Sequence, residues 1–426
     1  MNIPRRSLSS LALFLAGSFV APLALAAQSL VSSPADLEGM SAQRLDRLSV
    51  ALEQYVEEGS LAGAVTLVAR NGRILFLQAV GHRDREAGDV MEVDDIFRIA
   101  SQTKAIVSVA AMILQEEGKL LLSDAVADYL PEFGEMTVAV EREGGGYDLV
   151  PANRQITIRD LLTHTSGLAY GSGIAADRWE AAGMQGWYFA ERDEEIASAV
   201  QRIASLPLDA HPGERWIYGY STDVLGAVVE RASGQPLDRF LSARILEPLG
   251  MTDTHFYLPP EKRARLVTVY SSDEEGLSRT PDCCGMVSQG AYAEGPRRSF
   301  SGGAGLLSTA EDYARFLQML LNGGELDGVR ILSRKTVELM TTDHLGGLDF
   351  RPGQGFGLGF SVVEDLGERG QPGSVGEFGW GGAYHSTYWV DPQERLVVVY
   401  LTQLLPAGSI DDHGKLRALI YQAIID

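Results

Sequence analysis

The stretch Phe97-Arg98-Ile99-Ala100-Ser101-Gln102-Thr103-Lys104-Ala105-Ile106-Val107-Ser108 places a serine and a lysine three positions apart at the opening of an apolar helix. Ile106, Val109, Ala110, Ile113 and Leu114 recur at the spacing of a buried helical face, and Gly118 supplies a stop. Positions i and i+3 share a helix face, so Ser101 and Lys104 point into one pocket. Unpaired amides and the dipole of the first turn favour negative charge, which suits an alkoxide or oxyanion at Ser101. A lysine held in an apolar site gives up its proton more readily and can act as a base. Ser101 is therefore read as a nucleophile. The same spacing also suits a capping serine followed by a solvated lysine, and in a chain this long it arises by chance.

The rest of the sequence bounds where such chemistry operates. With 57 acidic against 36 basic residues and a net charge of −21, nucleic acid and anionic membrane are excluded as partners. Residues 1–26 read as a targeting segment: Arg5 and Arg6, then the apolar run Leu11 to Val20, then Ala24-Leu25-Ala26. An exported protein, periplasmic or secreted, is expected, with no stable membrane insertion. Cys283 and Cys284 are the sole cysteines and are adjacent. Disulfide geometry disfavours a bridge between neighbours, so two free or partly buried thiols are expected. No metal site is expected, because the seven histidines show no HExxH spacing.

Ser41 to Glu57 reads as an amphipathic helix with Leu45, Leu48, Leu52, Tyr55 and Val56 inward. Strands Ala64 to Arg70 and Arg73 to Val80 follow, joined at Asn71-Gly72. Ile156 to Leu168 reads as a short helix closed by Gly167, with His164 structural, and aromatic loops lie between Gly171 and Arg192. Near the C-terminus, Phe356 to Val363, Tyr384 to Val390 and Arg395 to Thr402 read as strands. The fold expected is α/β of the α+β type. An antiparallel sheet is built from both chain ends (residues 30–105 and 300–426) and flanked by helices, with residues 106–299 inserted as a mainly helical domain.

Two further elements carry chemistry. In His211-Pro212-Gly213-Glu214-Arg215-Trp216-Ile217-Tyr218-Gly219-Tyr220, a Pro-Gly turn delivers a tyrosine just before a helix, where a phenol can share protons with Lys104. Gly379-Trp380-Gly381-Gly382-Ala383-Tyr384-His385-Ser386 opens a strand with glycines that admit a ligand close to the backbone. Together with Asp160 to Leu168, Glu247 to Thr254 and Gly302 to Thr309, these elements resemble the serine β-lactamase and penicillin-recognising superfamily. Within it the chain is most similar to the class C-like branch and the family VIII carboxylesterases.

The resemblance implies a β-lactamase/transpeptidase-like fold, Ser101 as acylated nucleophile and Lys104 as its proton partner. Counted from Pro212-Gly213, the catalytic tyrosine falls at Tyr218, with Tyr220 as the rival. The oxyanion hole falls to the amides of Ser101 and Ala383, with Trp380, Gly381, Gly382 and Tyr220 as substrate-binding residues and no cofactor. Trp380 replaces the lysine of the β-lactamase Lys-Thr-Gly motif, and Tyr220 replaces an asparagine. Both departures favour a neutral ester over a β-lactam. A carboxylesterase for short-chain esters is expected, its activity rising toward alkaline pH because its base is a lysine–tyrosine pair. β-lactamase, D-amino-acid peptidase, acyltransferase and a non-catalytic peptidoglycan-sensing scaffold stay as alternatives. The partner is a small-molecule ester or related acyl substrate, and the oligomeric state is left open.

Overall fold

The computed structural model describes Met1 and residues 30–426, so all but Met1 of the expected targeting segment lies outside it. Asn71 and Gly72 both take positive φ, 55° and 75°. This backbone matches the twist of the strands it joins, and glycine adopts it without a Cβ clash. The turn sets β2 (Gly63–Arg70) against β3 (Arg73–Asp84), with Arg70 opposite Arg73. The remaining strands of this sheet are β1 (Val31–Ser32), β4 (Asp89–Val90), β5 (Gln354–Phe356), β6 (Ser361–Val363), β7 (Phe378–Gly382), β8 (Ser386–Asp391) and β9 (Leu396–Leu401). The nine strands run in the order β1-β3-β2-β9-β8-β7-β6-β5, with β4 also paired to β3. β9 lies antiparallel to β2, Val399 opposite Leu67, so the two chain ends meet in one sheet.

Both faces of this sheet are covered, which explains the unbroken apolar run of β9. On one face Ala64, Val68, Leu396, Val398 and Tyr400 pack under α1 (Ala42–Glu57) and α5 (Asp412–Tyr421). Ser41 caps α1 by accepting from the Arg44 amide at 3.3 Å. Burying a leucine stabilises a fold by about 1.5–3 kcal/mol, and the fully buried Leu48 and Leu52 hold α1 in place. On the other face Val65, Leu67, Val397 and Val399 join a core shared with α2 (Thr103–Glu116), α3 (Ser221–Ser233) and α4 (Ala310–Leu321). Where the periodicity indicates one buried face, α2 is buried all round from Thr103 to Leu114. It is a central helix packed against α3 rather than a surface helix, while α4 lies on the sheet.

Three local expectations are corrected. Phe356 to Val363 is not one strand but the hairpin β5–β6, with Phe356 opposite Ser361. The helix after Ile156 spans Ile158–Thr163 and ends at His164, itself left-handed at φ 57°, rather than at Gly167. Cys283 and Cys284 are joined as a vicinal disulfide instead of standing as free thiols. Among the described residues no helix is long and apolar enough to cross a membrane.

Candidate active site

The segment leading to Ser101 is pinned before it turns. Phe97–Arg98 pairs with Leu307–Ser308, and the Arg98 guanidinium donates to the Val267 carbonyl at 2.6 Å and to Gln403 Oε1 at 3.1 Å. Ala100 then takes φ 41°, a conformation unfavourable for a residue with a Cβ. It turns the chain into a 3-10 segment, Ala100–Gln102, from which α2 continues. Ser101 thus stands two residues before the α-helix rather than inside it, and the i, i+3 relation to Lys104 is kept. Lys104, 2 % exposed, donates to Ser101 Oγ at 3.2 Å, Tyr170 Oη at 3.0 Å and the Gly303 carbonyl at 2.7 Å. These three acceptors aim the amine at the serine.

Tyr218 lies beside this pair, its ring 4.6 Å from Lys104 Nζ. Its hydroxyl accepts from the Trp380 indole at 3.0 Å. His164, buried beneath it, packs its ring 4.8 Å from that of Tyr218. Burial first and Lys104 second hold the His164 imidazole well below its usual range, so it stays neutral. It supports the tyrosine as packing. Tyr220, the rival tyrosine, is directed elsewhere: it is fully buried, stacks on Trp179 at 5.6 Å and donates to the Gly186 carbonyl at 2.6 Å. It lies behind the cavity wall, outside the lining to which the resemblance assigns it.

Trp380, Gly381, Gly382 and Ala383 lie at the β7 edge and, with Ser101 and Tyr218, line one cavity of about 740 Å³. Gly382 serves the site by close packing. A Cβ there would come within 2.6 Å of the Ile99 carbonyl, so a larger residue would push the Ala383 turn away from the serine turn. That turn is also held from behind. His385 Nε2 donates to Asp412 Oδ1 at 2.7 Å, His413 Nε2 donates to the His385 carbonyl at 3.1 Å, and Tyr400 donates to Asp412 Oδ2 at 2.7 Å. His385, Asp412 and His413 are the cluster with metal-ligand chemistry among the described residues. Both carboxylate oxygens are already engaged by protein donors, so the group acts as a clamp on the turn.

Tyr170 and Asp223 also belong to the site, although the sequence reading assigns neither of them a role. Burial holds the Tyr170 phenol well above its usual range, so it meets Lys104 as a neutral hydroxyl. Asp223, buried at the start of α3, accepts from Ser301 Oγ at 2.6 Å and the Gly303 amide at 3.0 Å. It thereby fixes the carbonyl that receives Lys104. Trp380→Phe keeps an aromatic wall but removes the donor to Tyr218, so kcat for a nitrophenyl ester is expected to fall about tenfold, with KM changing less. Equal kcat in the two proteins would show that this hydrogen bond does not position the tyrosine.

A buried serine–lysine pair beneath an aromatic cavity, at the junction of a sheet and a central helix, is the architecture of active-site-serine proteins. The family model described as Beta-lactamase matches residues 48–422, and the chain belongs to that family, a serine hydrolase superfamily. Protein Rv1367c of Mycobacterium tuberculosis is 39% identical over 86% of this chain and 92% of its own length. Esterase EstB of Burkholderia gladioli is 37% identical over 85% of this chain and 91% of its own. Among solved structures, EstCE1, described as a hydrolase with promiscuous acyltransferase activity, superposes with a TM-score of 0.75. It has 30% identity and covers 89% of this chain and 99% of its own.

Proposed function

We propose that this protein is a carboxylesterase that cleaves short-chain esters through an acyl-enzyme on Ser101. The observation that carries this reading is the Ser101 Oγ to Lys104 Nζ contact of 3.2 Å at the wall of a cavity that Tyr218 and Trp380 also line. Ser101 Oγ attacks the ester carbonyl and forms the new C–O bond, while its proton passes to the Lys104–Tyr218 pair. The Ser101 and Ala383 amides hold the oxyanion. Collapse breaks the bond to the leaving alcohol, which takes its proton back from Tyr218 or Lys104. Water, deprotonated by the same pair, then releases the acid and regenerates Ser101. Similarity to an esterase over most of the chain supports the ester as substrate.

Comparing a short-chain nitrophenyl ester with a chromogenic cephalosporin tests this assignment. kcat/KM for the ester is expected to exceed that for the cephalosporin by a factor on the order of a hundred or more. The reverse order would make the protein a β-lactamase. The printed description of EstCE1 favours a second outcome on the same intermediate. An added alcohol that diverts the acyl group into a new ester would identify acyl transfer. Residues 1–26 fit the same picture as an export signal, with the mature enzyme working outside the cytoplasm.

A further inference from the structure

The residue standing where β-lactamases carry a lysine is Trp380, and its indole face is not bare. The guanidinium carbon of Arg351 lies 4.7 Å from the Trp380 ring centroid and 5.2 Å from that of Phe350. Arg351 lines the same cavity as Ser101 and Tyr218. It reaches the wall from the loop before β5, where its backbone carbonyl accepts from the Gln354 amide at 3.0 Å. A cation thus returns to the wall from which the lysine is missing, supplied by a different part of the chain.

Two features set this arginine apart. Among the described residues no carboxylate pairs with Arg351 and no protein acceptor takes a hydrogen bond from its side chain, in a chain with 57 acidic side chains. Its neighbours Arg369 and Arg417 on the same cavity are both paired, sharing Glu377. Contact with the rings also withdraws part of the guanidinium from water, which weakens its hold on the proton, with Tyr218 opposing that trend. It stays charged nonetheless. A guanidinium stacked by its face on an aromatic ring keeps its in-plane N–H donors free, in the fork that matches a carboxylate.

We propose that Arg351 binds a carboxylate on the substrate, so that the preferred esters carry a free carboxylate in their alcohol portion. The alcohol side is assigned because Arg351 covers Trp380, Trp380 donates to Tyr218, and Tyr218 belongs to the pair proposed above to return the proton to the leaving alcohol. This rests on the Ser101 esterase reading and revises the expectation of a neutral substrate.

The test uses 4-acetoxybenzoate and its methyl ester, which share an acetyl group and differ by one charge, with the full enzyme and its Arg351→Gln and Arg351→Lys variants. The ratio of kcat/KM for the acid to that for the methyl ester is expected to fall about tenfold in Arg351→Gln, chiefly through KM. It should be largely retained in Arg351→Lys and should shrink with added salt in the parent enzyme. An unchanged ratio in Arg351→Gln, with the methyl ester still turned over, overturns the assignment of Arg351 alone. Turnover of neither ester by the parent enzyme overturns the esterase reading beneath it.

Discussion

Ser101→Ala is expected to abolish ester turnover, lowering it by a factor on the order of 10⁴ or more, if Ser101 carries the acyl group as proposed. Intact mass measured after exposure to a fluorophosphonate should show one adduct on the parent enzyme and none on the variant. The substitution removes one of the three acceptors of Lys104 and leaves those on Tyr170 and Gly303, so the fold should survive. An unchanged unfolding temperature would make the loss of labelling a chemical result. Labelling of the variant would show that Ser101 is not the nucleophile. If neither protein labels nor turns over ester, the non-catalytic scaffold reading takes precedence.

What the sequence made legible is what depends on short spacing. The Asn71-Gly72 turn specified a hairpin because its backbone demand is local. The Ser101–Lys104 relation survived even though Ser101 lies in a 3-10 turn, because both helix types bring i and i+3 together. The glycines from Phe356 to Val363 hid a reversal because the flanking residues are apolar on both arms. Contacts across long separations were not legible. Tyr170 meets Lys104 from 66 positions away, and although it follows the Asp160 to Leu168 element by two residues, nothing in that spacing ties it to Lys104. Arg351 approaches Trp380 from another loop, so counting from the Trp380-Gly381-Gly382 motif reports only the lost lysine. Tyr220 shows the opposite limit. Its spacing from Tyr218 suggested a role in binding, yet α3 starts immediately after it and turns its hydroxyl toward Gly186.

Lys104 should also prove costly to replace, and two variants divide its roles. Lys104→Met removes both the charge and the base. Lys104→Arg keeps a cation that does not give up its proton in a protein. Each is expected to lose about a thousandfold or more in kcat if Lys104 moves the serine proton, since positioned proton transfer contributes on that order. A near-parent kcat in Lys104→Arg would reduce the lysine to an electrostatic anchor. Stability separates the variants in the other direction. Burial holds the Asp223 carboxyl above its usual range, and the Lys104 ammonium opposes that rise. A carboxyl raised in this way binds its proton more tightly in the folded chain than in the unfolded one. Its ionisation costs the fold nothing below the unfolded value, progressively more as pH climbs from the unfolded value to the folded one, and a constant amount above that. Without the ammonium that cost grows. Lys104→Met should therefore unfold at a lower temperature than the parent, with a gap that is small near about pH 4 and wide near about pH 8. In Lys104→Arg any penalty of the larger side chain should be the same at both pH values. A gap in Lys104→Met that does not widen with pH would show that Asp223 is neutral beside the lysine, leaving Lys104 to be held by its three hydrogen-bond acceptors alone.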